Sequence, residues 1–91
     1  MKKKQEKKKQ ILPNWFDGLI YSEGDTVTNP FSGESYELTG PELSMYDFIT
    51  GTSWVMEVAP KTVTAQQIKN FHKALDWFRS NNSKAYMVLL D

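Results

Sequence analysis

The sequence predicts a small α+β domain: a β-hairpin packed on two main α-helices, closed by a short C-terminal element and preceded by a basic tail. Three observations lead there. Residues 64–82 carry apolar side chains at helical spacing, residues 26–38 read as two strands about a turn, and residues 1–10 hold six lysines with no apolar pattern.

In chain order, Met1 to Gln10 is a Lys/Gln run whose like charges repel and bury nothing, so disorder is expected over residues 1–11. The domain is expected over 12–91, with Pro13 marking its entry. Asp17-Gly18 favours a turn, after which Leu19-Ile20-Tyr21 can begin a short strand. Thr26-Val27-Thr28 and Ser35-Tyr36-Glu37-Leu38 are strand-like, and Asn29-Pro30-Phe31-Ser32-Gly33 joins them. Pro30 presets φ for a type I turn, while Gly33 can take the positive φ that rejoins the second strand. Two strands alone are marginal in water, so this hairpin must lean on a helix.

Thr39-Gly40-Pro41-Glu42 is a capping-box pattern, with Pro41 in a first turn where its missing N–H costs nothing. A helix follows from about Pro41 to at least Thr50. Leu43, Met45, Tyr46, Phe48 and Ile49 cover more than half its circumference, which predicts burial on two sides. Gly51 can end the helix, or the helix can continue through Trp54-Val55-Met56; an interruption at Gly51-Thr52-Ser53 is favoured, and Pro60 ends whatever precedes it. Thr64 and Gln67 form a second capping box, and Ile68, Phe71, Leu75 and Phe78 then line one side of the main helix. Asn81-Asn82 is a plausible stop. Residues 83–90 suit strand or helix; Ser83 can cap and only Val88 is β-branched, which favours helix.

The 91 residues make one domain at most, and twelve aromatics give it core material. Net charge is zero but segregated. Residues 1–10 carry +5, residues 11–60 carry −8 with no Lys or Arg, and residues 61–91 carry +3. No cysteine is present, which removes disulfides and thiolate metal sites. No run has the roughly 18 apolar residues a membrane span needs, and no apolar stretch follows the lysines as in a signal peptide. An intracellular protein without a membrane partner is the expectation.

Chemistry-bearing patterns are few. The lone His72 borders the main helix's apolar stripe, without the neighbouring nucleophile or orienting carboxylate that acid/base work needs. Asp17, Glu23 and Asp25 offer hard oxygen ligands but match no calcium-loop spacing. Glycine-rich phosphate loops and Gly-x-Ser-x-Gly are absent. These readings name no catalytic residue, metal, cofactor or small-molecule ligand, and leave a small metal-dependent enzyme as the least favoured class.

Two kinds of partner remain. The lysines Lys2, Lys3, Lys4, Lys7, Lys8 and Lys9 can associate with nucleic acid by counterion release, although no aromatics interleave them. Trp77 lies about 140° from the centre of its helix's apolar stripe. It is expected either beneath the C-terminal segment or at an interface. With Leu43, Met45 and Phe48 it makes up the candidate surface for a protein partner or self-association.

Thr28-Asn29-Pro30-Phe31-Ser32-Gly33, Glu37-Leu38-Thr39 and Tyr46-Asp47-Phe48-Ile49 resemble small uncharacterised proteins of tailed marine cyanophages and ocean metagenomes. Ala74-Leu75-Asp76-Trp77-Phe78 and Tyr86-Met87-Val88-Leu89-Leu90-Asp91 are similar in the same way. The likeness spans about residues 12–91 and implies a phage accessory protein acting in the host cytoplasm. It implies no activity and no site. The sequence therefore favours a non-enzymatic interaction module, with nucleic-acid association as the alternative.

Overall fold

The computed structural model describes residues 10–90. An irregular stretch, residues 10–24, leads into strand β1 (Asp25–Thr28) and strand β2 (Ser35–Leu38). Helix α1 (Gly40–Val58), a 3₁₀ turn (Pro60–Thr62), helix α2 (Ala65–Asn81) and helix α3 (Ser83–Leu89) follow. This is the expected α+β architecture. The disorder expected of residues 1–9 lies outside the described residues.

The hairpin pairs antiparallel, Asp25 opposite Leu38 and Val27 opposite Tyr36. Alternation turns Val27, Tyr36 and Leu38 inward and leaves Thr26, Thr28, Ser35 and Glu37 in water. Gly33 N donates to Asn29 O at 2.8 Å to close the turn, and Gly33 takes the expected positive φ, 81°, a conformation a β-carbon would strain. Asn29 Oδ1 accepts from Phe31 N at 2.8 Å, while its Nδ2 donates to Val88 O at 2.9 Å. One asparagine thus shapes the turn and fastens it to α3, which packs on β2. The chain entering β1 passes so close to β2 that a β-carbon on Gly24 would collide with the Leu38 carbonyl.

Both capping boxes form. In α1, Glu42 N donates to Thr39 Oγ1 and Thr39 N to Glu42 Oε1, at 3.3 and 2.9 Å. In α2, Gln67 N donates to Thr64 Oγ1 and Thr64 N to Gln67 Oε1, at 3.1 and 2.8 Å. Helix α1 does not break at Gly51-Thr52-Ser53; it runs unbroken to Val58 and stops before Pro60. An interior glycine costs only about 1 kcal/mol. Half-burying Val55 and Met56 beyond it outweighs that cost. The C-terminal element is a helix, but Asn82 caps it rather than Ser83, accepting from Ala85 N at 3.1 Å.

Leu38, Met45, Ile49, Ala74, Phe78, Ala85 and Leu89 form the core. On α2, Phe78 is fully buried and Phe71 and Leu75 half-buried, whereas Ile68, one turn from the helix start, is 40 % exposed. Tyr46 stacks on Phe78 with ring centres 6.3 Å apart, and burial raises its hydroxyl pKa above the ordinary 10.0.

Residues 10–24 are not a strand and not a tail. Leu19-Ile20-Tyr21 finds no strand to pair with, and Tyr21 N donates instead to Ser44 Oγ on α1 at 2.8 Å. Trp15, Phe16 and Phe48 stack at 5.5–6.5 Å between ring centres, pinning this segment to α1. The ordered domain also begins before residue 12. Gln10 Nε2 donates to Glu42 Oε2 at 2.7 Å, and Gln10 Oε1 accepts from Thr39 Oγ1 at 2.6 Å. Asn82 Nδ2 donates to the same Glu42 oxygen at 3.1 Å. Glu42, only 3 % exposed, therefore accepts hydrogen bonds from the domain's entry, from its own helix cap and from the joint between α2 and α3.

Candidate functional site

Trp77 is half-buried and packs against the core. The N-terminal segment reaches it: Trp77 Nε1 donates to Ile11 O at 3.1 Å. It borders a shallow depression of about 430 Å³ with Pro13, Trp15, Lys73, Asp76, Ser80 and Asn81. Met45 is fully buried in the core and so is not available to a partner, which corrects its place among the interface candidates. Leu43 is half-buried against the core. Phe48 alone of the four reaches the larger groove described below. Lys2, Lys3, Lys4, Lys7, Lys8 and Lys9 lie outside the described residues.

His72 is exposed and meets Phe71 edge-on at 5.8 Å between ring centres. Asp17, Glu23 and Asp25 are each exposed, and no group of three or more His, Asp or Glu gathers among the described residues. No described helix is long and apolar enough to cross a membrane.

The larger groove measures about 520 Å³ and opens between the 17–19 loop, α1 and the start of α2. The loop contributes Asp17, Gly18 and Leu19; α1 contributes Asp47, Phe48, Gly51, Thr52 and Val55. Val63 and Gln67 close the far side. The loop stands where it does because the Trp15/Phe16/Phe48 stack and the Tyr21–Ser44 bond hold it on both sides. On α1, Asp47, Gly51, Trp54, Val55 and Val58 fall within roughly 100° of one another around the axis. Trp54 is 64 % and Val58 56 % exposed, and across the groove Leu19 is 66 % exposed. Exposed apolar side chains therefore stand on the α1 face that enters the groove and on the loop opposite, and the groove's lining holds no base.

Gly51 is the position that decides how to regard this groove. A β-carbon there would meet nothing within 4 Å. It lies mid-helix, where glycine costs about 1 kcal/mol relative to alanine, and the surrounding fold gives no steric reason for it. Its effect is to leave the α1 backbone bare where it lines the groove.

Sequence patterning misses this surface. It flags Asp17 as acidic and Phe48 as apolar, but treats Gly51 as a break and never joins Leu19 to Val55. The available signal is Trp54 and Val58 one turn apart, on the side of α1 that Gly51 leaves bare. Compared with known proteins, the chain matches no family model, no curated protein and no solved structure. The comparisons therefore carry no origin, activity or site to it.

Proposed function

We propose that this chain is a non-enzymatic protein–protein interaction module whose recognition surface is the groove of the 17–19 loop and α1. The observation that carries this reading is the empty space over Gly51, a glycine with no steric need in the fold, in the lining of a mainly apolar groove. Exposed Leu19, Trp54 and Val58 supply the kind of apolar rim that marks contact surfaces. A small phage accessory protein in a host cell is the setting the sequence resemblance suggests. A second reading, sequence-indifferent association with nucleic acid through Lys2, Lys3, Lys4, Lys7, Lys8 and Lys9, rests on six lysines within ten residues.

The test selects binders from a random displayed-peptide library and rescreens them on Gly51→Met. That substitution fills the groove without touching the core and favours the helix. Enriched peptides should lose at least about tenfold in affinity on this variant while its circular dichroism stays unchanged. The reading fails if no peptide enriches, or if the enriched peptides bind Gly51→Met as well as the parent.

A further inference from the structure

We infer that the groove takes a basic amphipathic segment of a partner protein, its apolar residues on Phe48, Val55 and Val63 and its Lys or Arg heads on Asp17 and Asp47. This rests on the interaction reading above and adds the partner's chemistry to it. The argument is one of charge complementarity. Asp17 comes from the loop and Asp47 from α1, and both line the same mainly apolar groove. Neither carboxylate makes a side-chain hydrogen bond or ion pair among the described residues, where Asp76–Arg79 is the one salt bridge. No lysine or arginine lines the groove, and residues 11–60, which build most of it, contain none.

Covering such a groove strips water from two like charges. A neutral apolar occupant would leave both carboxylates desolvated and unpaired, and an acidic one would add repulsion. A cationic occupant neutralises them. Long basic side chains can also lay their methylenes along the apolar floor while the heads reach the rim. The volume of about 520 Å³ admits several such side chains, and bare Gly51 lets one approach the α1 backbone. The chain's own residues 1–9 carry the charge, but Met1 is their sole apolar residue, so their sequence lacks the apolar face proposed for the occupant.

The experiment uses the full chain and three synthetic 14-residue helical peptides with one leucine spacing, whose polar face is Lys, Gln or Glu. Labelled-peptide anisotropy should show the Leu/Lys probe binding at least tenfold more tightly than Leu/Gln, with Leu/Glu weakest. The Asp17→Asn/Asp47→Asn double variant should erase the Lys-over-Gln preference while leaving Leu/Gln affinity unchanged. Gly51→Met should weaken both probes. Equal binding of Leu/Lys and Leu/Gln, or a preference that survives the double variant, overturns the inference while leaving the interaction reading intact. Leu/Lys binding that ignores Gly51→Met places the site elsewhere and overturns it too. Binding that appears only after residues 2–9 are deleted makes the chain's own lysines the occupant and equally rejects an external basic partner.

Discussion

At the scale of single residues, Gly51 and Glu42 stand at opposite extremes. Nothing surrounds the missing side chain of Gly51, so Gly51→Ala should stabilise the domain by about 1 kcal/mol in urea denaturation, through helix propensity alone. A destabilised alanine variant would mean the space above this glycine is filled in solution. Glu42 is crowded with donors from Thr39, Gln10 and Asn82. Glu42→Ala deprives three N–H groups of their acceptor at once. A buried donor left unmet costs about 1–3 kcal/mol, so the loss should be at least that large and should exceed the effect of Gln10→Ala.

Among the elements, what was legible in the sequence was what depends on neighbours a few residues away. Thr39/Glu42 and Thr64/Gln67 announced two helix starts because a capping box needs only four residues. Asn29 to Gly33 announced the turn for the same reason, down to the positive φ of Gly33. Where distant parts of the chain compete, local reading failed. Gly51 looked like a break because its small penalty is visible, whereas the half-burial of Val55 and Met56 beyond it is not. For Trp77 only the C-terminal segment or an interface could be named, because its bond to Ile11 arrives from 66 residues away. Leu19-Ile20-Tyr21 has strand-like composition, yet its backbone found a serine on α1 in place of a strand. The groove was illegible for this same reason, since its walls come from three separated segments.

The hairpin yields a prediction of its own. Its turn is moored to α3 by Asn29 Nδ2. Asn29→Ala removes both that bond and the acceptor for Phe31 N. Amide exchange in Asp25–Leu38 should quicken by about tenfold, while α1 and α2 keep their protection. Uniform acceleration across all three helices would show that the hairpin does not open as a unit.

For the molecule as a whole, the uneven charge matters more than its zero sum. If the lysines of residues 2–9 carry nucleic-acid association, the intact chain should bind single strands weakly. That binding should fall steeply between 50 and 200 mM salt and disappear when residues 2–9 are deleted. A truncated chain that binds equally well would remove the lysines from consideration. The deletion keeps Gln10, so the bonds it makes to Glu42 and Thr39 are not lost with the lysines.

Those bonds also bear on the order in which the domain assembles. Gln10 and Asn82 meet Glu42 across separations of 32 and 40 residues, so each bond closes a long loop before it returns any energy. The pairing of α1 with α2 can begin across the short connection between Val58 and Ala65 and so can come first. Stopped-flow kinetics of Gln10→Ala, which leaves the Thr39–Glu42 capping bond in place, should then show refolding within about twofold of the parent and the whole deficit as faster unfolding, a φ-value near zero. The knot at Glu42 would act as a latch that shuts late and governs how long the native state lives.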